Sequence, residues 1–474
     1  MELPTDNNVC ETPSWAVVIL AAGQGTRMCS DLPKVLHILG GKPLLAHVVD
    51  TASKLDVTCI CVVHGHGGEQ VRATCMDLPV VWVEQIPQLG TGHAVAQALP
   101  NLQHNDAVLI LYGDVPLIQV STLRTLLAAA APSRETPSGT LALLILELPN
   151  PTGYGRILRN DLGQVVGIVE EKDATPVQRL IREVNTGVLA VNKAYLTDWI
   201  SRLDNRNAQG EYYLTDIVHL AVTDGLPVST IHSETISEVL GVNNRVQLAE
   251  LERAYQARRA RELMQAGVTL RDPARFDLRG DVDVGRDVEI DIDVLLEGQV
   301  HLGNRVRIGP YCCLKNATIG DDTEIRANSI IEGAVVGSGC IIGPFSRLRP
   351  GTELGHGVHI GNFVEIKQSK IGEGTKINHL SYVGDAIVGR AVNIGAGTIT
   401  CNYDGVNKHR TVIGDHAFIG SDTSLVAPVA IGKNATIGAG SVITHDAPAG
   451  ELTLTRAPQE TFSGWQRPGK RGQN

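Results

Sequence analysis

The sequence predicts an α/β doubly wound domain, a long connecting helix and a parallel β-helix, in that order along the chain. From Trp15 to about Ile236, short β-branched runs alternate with segments of helical period. Residues 281–440 hold 25 of the 50 glycines, although they are only a third of the 474 residues. A chain of this length exceeds one core at roughly 100–200 residues per domain, so we expect two or three folding units.

The amino-acid composition limits the classes of molecule that the protein is expected to bind. Lys and Arg total 41 against 51 Asp and Glu, a net charge of −10 that leaves no basic excess for nucleic acid. The longest apolar run has eight residues, whereas a membrane span needs about 20. The first residues lack the Lys or Arg of a secretory signal, so we expect a cytoplasmic protein with no nucleic-acid or membrane partner. Nine cysteines without a CxxC pair favour reduced thiols.

Five predicted strands and two predicted helices make up the first domain. The strands are short and rich in β-branched residues, and the helices have apolar residues at three-to-four spacing. Repeated strand–helix order predicts a doubly wound parallel sheet, whose ligands collect at the carboxyl ends of the strands. The predicted strands are 16–20, 58–63, 80–83, 107–112 and 141–146, and the predicted helices are 44–55 and 121–131.

Residues 245–266 are predicted to form one long helix, because they are rich in strong helix formers and contain no Gly or Pro. Its 22 residues correspond to roughly 33 Å, enough to separate two domains. We therefore expect a first domain at 1–244, a linker helix at 245–266 and a second domain at 267–474. The basic tail from residue 461 onwards is expected to fray.

An aliphatic residue directly before glycine recurs through the second domain, at steps close to multiples of six. This hexapeptide period predicts a parallel β-helix. Each aliphatic residue points inwards, each glycine permits a corner, and three repeats complete one triangular coil. The polar stretch 400–410 falls in the longest gap and is expected to leave the coil as a loop. The period alone fits a purely structural solenoid equally well.

A glycine turn follows the first predicted strand, in the sequence LAAGQGTRM of residues 20–28. Gly23 and Gly25 remove side chains, so that backbone N–H groups can close on phosphate oxygens, and Arg27 and Lys34 supply positive charge. The turn matches neither the dinucleotide GxGxxG nor the Walker motif. Taken alone, it fits a plain structural turn equally well.

Together with this glycine turn, further motifs make the chain resemble a known protein family. With DLPKVL at 31–36, the first domain resembles the sugar-nucleotide pyrophosphorylases. With the second domain included, residues 16–456 resemble the bifunctional N-acetylglucosamine-1-phosphate uridyltransferase/glucosamine-1-phosphate acetyltransferase family. The further motifs are QLGTGH (88–93), LYGDVP (111–116), PTGYGR (151–156), IVEEKD (168–173), NTG (185–187), QGEYYLTD (209–216), GVNNR (241–245), RLRPG (347–351), NFVEIK (362–367), NHLSY (378–382), NIGAGTITCNYDG (393–405) and FIGSDT (418–423). An N-terminal extension of about fourteen residues and the basic tail lie outside the resemblance.

The resemblance implies a Rossmann-like nucleotidyltransferase domain followed by a left-handed parallel β-helix. It implies N-acetylation of glucosamine 1-phosphate by acetyl-CoA, then uridylyl transfer from UTP to N-acetylglucosamine 1-phosphate. An alternative is a pyrophosphorylase for another nucleotide sugar, with a β-helix that only oligomerises. A further alternative is a trimeric scaffold without chemistry.

Uridylyl transfer needs charge neutralisation and positioning more than covalent help. Arg27 and Lys34 supply cations, and Asp114 follows a predicted strand as a hard oxygen ligand for Mg²⁺. The resemblance adds Asn243 as the second metal ligand. Singly, Asp114 also fits a helix N-cap, Asn185 a turn residue and Lys34 a solvated charge. The resemblance places UTP and the sugar nucleotide at Leu20, Ala21, Ala22, Gly23, Lys34, Gln85, Gly90, Thr91, Tyr112, Gly113, Asp114, Gly155, Glu170, Asn185 and Asn243, with Gln85, Gly90 and Thr91 at uracil and Gly155, Glu170 and Asn185 at the sugar.

N-acetylation needs a base for the amine proton, and the resemblance gives this role to His379. Glu365, two positions before Lys367 and on the same strand face, is expected to orient the imidazole. A lone histidine among fifteen is more often structural. The resemblance assigns Arg349, Lys367, Tyr382 and Asn393 to glucosamine 1-phosphate, and Ala396, Asn402, Tyr403, Ser421, Ala439 and Arg456 to acetyl-CoA. It also implies a homotrimer with active sites between the β-helices.

Overall fold

The computed structural model describes residues 13–467, and the chain divides into two compact units, Met1–Tyr255 and Gln256–Asn474. Residues 1–12 of the N-terminal extension, with Cys10, and residues 468–474 of the basic tail lie outside the described residues. Residues 461–467 are exposed and belong to no helix or strand. Within 13–467 no helix is long and apolar enough to cross a membrane. The eight cysteines in this range are free thiols.

The first unit has a nine-stranded sheet, a two-stranded ribbon and helices on both faces of the sheet. Its strands are β1 (Trp15–Ala21), β2 (Ile38–Leu39), β3 (Lys42–Pro43), β4 (Val57–His64), β5 (Val81–Glu84), β6 (Ala107–Tyr112), β7 (Leu141–Glu147), β8 (Arg156–Arg159), β9 (Val165–Val169), β10 (Glu183–Asn192) and β11 (Val228–His232). Its α-helices are α1 (Leu44–Ala52), α2 (Gly68–Thr74), α3 (Thr91–Ala98), α4 (Val120–Ala130), α5 (Lys193–Arg202), α6 (Ile217–Thr223) and α7 (Ile236–Val239). The last helix, α8 (Arg245–Gln265), includes residues of both units.

The predicted strands and helices of the first domain are confirmed, with ends that shift by at most three residues. The main sheet has the order β11-β7-β10-β6-β1-β4-β5. The doubly wound sheet with helices on both faces is confirmed. The sheet is mixed rather than purely parallel, because β10 is antiparallel to β6, β7 and β8, and β8 is antiparallel to β9. The β8–β9 hairpin, which pairs with β10 through β8, was not predicted from the sequence.

Strand β1 is an inner strand of this sheet, and all seven of its residues are buried. Val17 and Ile19 face one hydrophobic core, whereas Val18 and Leu20 face the other. Such a continuous apolar run is typical of a parallel strand covered on both faces. Because β1 pairs in parallel with β4 on one side and β6 on the other, the turns after β1 and β6 emerge at the same sheet edge.

Helix α8 confirms the long helix, one residue shorter than predicted. Leu251 and Tyr255 in its first half pack with Met28 in the first unit. Ala260 and Leu263 in its second half belong to the core of the second unit. Each half of the helix therefore contributes to a different core, and the domain limits at residues 244 and 266 stay predictions.

The second unit is a β-helix with three parallel faces, named A, B and C here. Face A contains the strands Thr269–Leu270, Glu289–Ile290, Arg307–Ile308, Glu324–Ile325, Ile341–Ile342, His359–Asn362, Lys376–His379, Asn393–Ile394, Phe418–Ile419, Thr436–Ile437 and Leu452–Thr453. Face B contains Ile330–Glu332, Arg347–Leu348, Glu365–Lys367, Tyr382–Gly384, Ile399–Cys401, Ser424–Val426 and Val442–Ile443. Face C contains Val335–Val336, Glu353–Leu354, Lys370–Ile371, Ala386–Val388, Thr411–Ile413 and Val429–Ile431. The longer strands Phe276–Val284, Val294–Leu302 and Cys313–Ile319 join faces B and C in the first coils.

The hexapeptide prediction is confirmed by the register of the coils. Val336, Leu354, Ile371 and Val388 pair in succession on face C, and all four are buried. Each of these steps is close to three hexapeptide repeats, which make one coil. The next step, from Val388 to Ile413, is longer than the others. That coil is therefore enlarged, and its surplus residues form the loop that the sequence predicted.

The loop of the enlarged coil begins later than the sequence predicted. Residues 400–410 were predicted to leave the coil, but the strand Ile399–Cys401 includes Thr400, which is 1% exposed. The loop therefore spans residues 402–410, before the strand Thr411–Ile413. Thr400 remains in the coil because its hydroxyl group bonds to the backbone of Gly384, donating to the carbonyl oxygen and accepting from the N–H.

Glycine has a different role in the β-helix from the one predicted. Gly372 does not need a positive φ, but a Cβ atom there would lie 2.5 Å from the backbone carbonyl of Gly389 in the next coil. Corner positions with positive φ are filled by larger residues such as Gln368, Leu380 and Asp385. The repeated glycine is therefore required by the close approach of stacked coils rather than by the corners.

Gly372→Ala is expected to destabilise the β-helix, because the added methyl group meets backbone atoms that cannot rotate away. We expect a loss of roughly 1–3 kcal/mol in the free energy of unfolding, measured by denaturant titration. Gly167→Ala is the matched control, since a Cβ atom at Gly167 has no heavy atom within 4 Å. Equal stability of the two variants would contradict the packing argument.

Candidate active sites

The turn after β1 opens onto a cleft of about 600 Å³ at the carboxyl edge of the main sheet. Gly25 in this turn has a φ of 62°, and a Cβ atom there would lie 2.7 Å from the Cβ atom of Lys34. Glycine therefore permits both the turn and the approach of Lys34. The cleft is lined by Leu20, Ala21, Ala22, Gly23, Gln24, Gly25, Thr26, Lys34, Val35, Gln85, Gln88, Gly90, Thr91, Ala94, Tyr112, Asp114, Glu211 and Asn243.

Two cations and two side-chain oxygen groups meet beside the glycine turn. The Lys34 ammonium forms an ion pair with Asp114 and lies 3.4 Å from Asn243 Oδ1. Arg27 Nη2 donates to the same Asn243 oxygen at 3.0 Å. Asp114 follows β6 closely, and its backbone carbonyl accepts from Val242 N at 2.9 Å. The structure thus brings together four predicted residues from three distant segments.

The donor set at this point suits a hard divalent cation. Asp114 supplies a carboxylate whose side chain is only 15% exposed, and Asn243 supplies an amide oxygen. Both oxygens face the same positive charge, the Lys34 ammonium, so they converge on a position that a cation can occupy. Mg²⁺ prefers few protein oxygens and leaves positions for phosphate oxygens and water. The residues therefore fit the predicted metal.

The predicted uracil-binding residues lie at another side of the cleft. The Gln85 side chain is 3% exposed, and its Nε2 donates to the Gly90 carbonyl at 3.0 Å. Thr91 begins α3, and its hydroxyl oxygen accepts from Leu214 N at 3.0 Å. Gly92 N donates to the Tyr212 carbonyl at 2.8 Å. Hydrogen bonds therefore fasten the segment around Tyr212 to the start of α3.

The predicted sugar-binding residues Gly155, Glu170 and Asn185 lie close together. Asn185 N donates to the Gly155 carbonyl at 2.9 Å, and a Cβ atom on Gly155 would lie 3.4 Å from both carboxylate oxygens of Glu170. Burial raises the pKa of Glu170, although the hydrogen bond from Thr215 lowers it. Burial, followed by the charges of Glu170 and Asp114, raises the pKa of Tyr112. The Tyr112 ring is therefore influenced by both Glu170 and Asp114.

Several cleft residues were missed by the sequence analysis. Gln88 and Glu211 line the cleft, and both belong to motifs of the resemblance, QLGTGH and QGEYYLTD, in which no role was given to them. Gln24 and Thr26 also line it and belong to the glycine turn. Their position inside recognised motifs was the available signal. Gly113, Gly155, Glu170, Asn185 and Arg27 are predicted residues that do not form part of this lining.

His379 ends a strand of face A, and Asn362 occupies the same position in the preceding coil. The His379 Nδ1 atom lies 2.9 Å from Asn362 Oδ1. Because the amide oxygen only accepts, Nδ1 carries the proton and Nε2 is free to act as a base. Glu365 was expected from the sequence to orient this ring, but the hydrogen-bond partner in the structure is Asn362.

Small residues continue the column of His379 through the following coils. The pairs Ile377↔Ile394, Ile394↔Ile419 and Ile419↔Ile437 set the register of face A. Two positions further along each strand, the same register places Ala396, Ser421 and Ala439 in one column with His379. The Arg456 guanidinium lies beside Gly438. Four of the six predicted acetyl-CoA residues therefore border one strip of face A.

Face B carries a group of cations. Arg349 Nη1 donates to Glu365 Oε1 at 2.8 Å, which shows where the Glu365 carboxylate points. Lys367 follows Glu365 by two positions on the same strand. The Lys408 ammonium, on the loop at 402–410, lies against Lys367 and lowers the pKa of Lys367. Lys408 was missed by the sequence analysis, although it lies in the loop that was singled out.

The loop at 402–410 is a closed hairpin. Asp404 Oδ1 accepts from Val406 N at 2.8 Å and from Asn407 N at 2.7 Å, and Asp404 Oδ2 lies 2.7 Å from His409 Nε2. The N–H of Asn407, then the side chain of His409, lower the pKa of Asp404. The predicted residue Asn402 donates to Asp385, while Tyr403 is 61% exposed.

One chain does not join all the predicted acetyltransfer residues. Among residues 13–467, no hydrogen bond or ion pair links His379 to Glu365, Lys367 or Tyr382. Tyr382 lies on face B as the register partner of Glu365, whereas Asn393 lies on face A as the register partner of Lys376. His379 on face A and the cations on face B are therefore not joined by a hydrogen bond or an ion pair within the described residues.

Known protein families match parts of the chain. Residues 17–183 match the MobA-like NTP transferase domain, residues 278–362 match the GMPPB C-terminal domain, and residues 410–445 match the bacterial transferase hexapeptide of six repeats. With the cleft and the β-helix, these matches define a nucleotidyltransferase domain joined to a transferase of the hexapeptide class.

Two curated relatives match nearly the whole chain. The Bifunctional protein GlmU of Methylococcus capsulatus is 60% identical over 454 residues, 96% of this chain and 97% of its own. That of Aromatoleum aromaticum is 57% identical over 455 residues, 96% of this chain and 99% of its own. The chain belongs to the family of bifunctional GlmU proteins, which confirms the resemblance found in the sequence motifs. A solved nucleotidyl transferase from Methanothermobacter thermautotroptrophicus covers 51% of this chain and 97% of its own, with 18% identity and a TM-score of 0.36.

Asp404→Ala is expected to open the hairpin at 402–410, because it removes three hydrogen-bond acceptor contacts. Amide hydrogen exchange of this segment then becomes faster, and Glu451→Ala at an exposed site is the control. Folding lowers the pKa of Asp404, so its carboxylate stabilises the folded hairpin fully above about pH 4, the ordinary pKa of Asp. This stabilisation is lost as the pH falls from there through the lowered pKa of the folded state. Unchanged exchange in the Asp404 variant would contradict this account.

Proposed function

We propose that the chain makes UDP-N-acetylglucosamine in two steps. Acetyl-CoA first acetylates the amine of glucosamine 1-phosphate on the β-helix. UTP then transfers its uridylyl group to N-acetylglucosamine 1-phosphate in the cleft of the first unit, and pyrophosphate leaves. The convergence of Lys34, Asp114 and Asn243 in a cleft of the right size supports this proposal most directly. Since UTP and acetyl-CoA are cytoplasmic metabolites, we place the reaction in the cytoplasm.

In uridylyl transfer, a phosphate oxygen of the sugar phosphate attacks the α-phosphorus of UTP, and the bond to pyrophosphate breaks. Arg27 and Lys34 offset the negative charge that the triphosphate and the departing pyrophosphate bring into the cleft. Asp114 and Asn243 would hold Mg²⁺, which neutralises phosphate charge when bound. The open backbone at Gly23, where a Cβ atom would meet nothing within 4 Å, leaves room for the phosphates.

Two groups of residues support the choice of substrate. In the cleft, Gln85, Gly90 and Thr91 present an amide and backbone groups to the uracil edge. Outside the lining of the cleft, Glu170 and Asn185 flank Gly155 and offer hydrogen-bonding groups to the sugar. Because Glu170 is partly buried, an unfilled hydrogen bond there costs more than in water, which favours sugars that supply the matching hydroxyl or amide.

Asp114→Ala is expected to abolish most uridylyl transfer while acetyl transfer continues, because the acetyltransfer residues lie in the other unit. We expect a loss of about 10²–10³-fold, the scale of one lost electrostatic contact to developing charge. Excess chelator acting on the unmodified chain should produce the same selective loss. Full uridylyl transfer in either experiment would show that no metal at Asp114 is needed.

In acetyl transfer, the sugar amine attacks the thioester carbonyl of acetyl-CoA. The C–N bond forms, the C–S bond breaks, and the amine proton leaves to a base while CoA departs as the thiol. His379 Nε2 is the proposed base, since Asn362 holds the proton on Nδ1. Ala396, Ser421 and Ala439 leave a shallow strip for the pantetheine arm of acetyl-CoA. Arg349, Lys367 and Lys408 would bind the sugar phosphate.

His379→Ala is expected to lower acetyl transfer by roughly 10²–10⁴-fold, the usual worth of one general base. Asn362→Ala should lower the rate less, because the ring loses only its orientation. Uridylyl transfer measured on the same samples reports that each variant is folded. Near-normal acetylation by the His379 variant would reduce this residue to a positioning role at most.

We also propose that the chain works as a homotrimer whose acetyltransfer sites combine residues of neighbouring subunits. The placement of His379 on face A and of the cations on face B, with no hydrogen bond or ion pair between them among residues 13–467, supports this proposal. The loop at 402–410 adds exposed apolar surface, with Val406 84% exposed. Burying such residues against a second copy is favourable.

Subunit mixing tests the trimer directly. His379→Ala and Lys367→Ala chains are each expected to be weak acetyltransferases, and refolding them together should restore part of the activity, because mixed trimers contain intact combined sites. Light scattering should give three times the chain mass of 50.6 kDa. A fully active monomer, or no recovery in mixed trimers, would contradict a shared site.

A further inference from the structure

Helix α8 begins shortly after the proposed metal ligand Asn243, and hydrogen bonds at this helix end reach back to Asn243. The Asn244 side-chain oxygen accepts from Gln247 N at 2.9 Å, and Gln247 Oε1 accepts from Asn243 N at 2.8 Å. This reciprocal pattern is a capping box displaced by one residue, because the glutamine bonds the residue before the cap. The backbone of Asn243 is therefore held by a side chain of the helix that follows it.

Val242, the residue before Asn243, is hydrogen-bonded to Asp114, the other proposed metal ligand. Val242 N donates to the Asp114 carbonyl at 2.9 Å, and Val242 is fully buried. Asn243 thus lies between a backbone bond to the Asp114 segment and a side-chain bond to Gln247. Together, these two bonds restrict the rotation of the backbone at 243, and with it the direction of the Asn243 amide oxygen.

A second contact joins the start of α8 to the segment that carries Lys34. Arg245 Nη1 lies 3.3 Å from Nδ1 of His37, a ring that is 4% exposed. Because a guanidinium only donates, Nδ1 accepts and the ring is neutral. Burial, then the charge of Arg245, lowers the pKa of His37. His37 N donates to the Lys34 carbonyl at 3.2 Å, so the contact reaches the short helical turn that presents Lys34.

We propose that Gln247 and the Arg245–His37 contact are positioning groups that hold Asn243 and Lys34 in the geometry needed for Mg²⁺-dependent uridylyl transfer. This inference rests on the proposed role of Asn243 as a metal ligand. Neither Gln247, Arg245 nor His37 lines the cleft, so they act through the residues that do. A displacement of about 1 Å at a reacting group costs on the order of 10²-fold in rate, so such groups affect catalysis without touching substrate.

The test compares Gln247→Leu, which removes the acceptor, with Gln247→Glu, which keeps it. Gln265→Leu makes the same chemical change at the exposed last residue of α8 and is the matched control. We expect Gln247→Leu to raise the Mg²⁺ concentration for half-maximal uridylyl transfer by roughly tenfold, the usual effect of losing a partner of a metal ligand. Gln247→Glu should need the same Mg²⁺ concentration as the unmodified chain. Acetyl transfer should stay unchanged in all three variants.

Binding of Mn²⁺ to the protein with UTP, measured by electron paramagnetic resonance, gives a readout that is independent of turnover. Gln247→Leu should weaken Mn²⁺ binding, and Gln247→Glu and Gln265→Leu should not. If Gln247→Leu prevents folding, Arg245→Met, at an exposed position, should weaken Mn²⁺ binding in the same direction. Mn²⁺ binding equal to that of the unmodified chain in both Gln247→Leu and Arg245→Met overturns the inference.

The same experiments separate this inference from the proposed function. If the unmodified chain transfers uridylyl groups without a divalent cation, the metal role of Asn243 fails, and the inference fails with it. If the unmodified chain requires Mg²⁺ and Asp114→Ala is inactive, while Gln247→Leu matches Gln265→Leu, only the positioning role is wrong. A loss in Gln247→Leu that Gln247→Glu does not repair would indicate a general effect on the helix and also overturns the proposal.

Discussion

Parallel strand pairing in fixed register is the constraint on which both units depend. In the first unit, parallel pairing of β1 with β4 and β6 sends the turns that follow these strands to the same edge of the sheet. In the second unit, parallel pairing places equivalent positions of successive coils directly beside each other. Residues far apart in sequence become neighbours in both units, for the same geometric reason.

This constraint explains why the chemistry is distributed over short motifs. At the sheet edge, Lys34, Asp114 and Asn243 come from three segments and share one small volume. On face A, one side chain from each coil builds the column from Asn362 through His379 to Ala439. A loop is tolerated only where it leaves the register intact. The pairs Val388↔Ile413 and Ile394↔Ile419 show that both faces resume pairing across the enlarged coil.

Local patterns in the sequence were enough for most of the fold. Strand β1 and the hexapeptide repeats have strong periodicity, so their positions were predicted closely. The antiparallel strand β10 was not predicted, because its direction depends on the β8–β9 hairpin and its partners rather than on its own residues. The role of the repeated glycines was also misjudged, since contact between stacked coils leaves no mark on either segment alone.

In the candidate sites, too, some features were predicted from the sequence and others were not. Family motifs named Asp114 and His379, and the structure surrounds each with suitable groups. Contacts between distant side chains were harder to predict. Glu365 was expected to orient His379 because it lies two positions before Lys367 on the same strand face, but its carboxylate accepts a charged hydrogen bond from Arg349 instead. Lys408 was missed because its place depends on how the hairpin closes.

The two proposed phosphate sites balance charge in opposite ways. In the cleft, Lys34 is already paired with Asp114, so a phosphate there competes with a carboxylate unless a divalent cation takes over that oxygen. On face B, Lys367 and Lys408 lie together and repel each other, which is why the pKa of Lys367 is lowered. An anion between them relieves this repulsion and therefore gains more than it would beside a single lysine. Uridylyl transfer is thus expected to depend on a metal, whereas the cations of the protein suffice to bind the sugar phosphate for acetyl transfer.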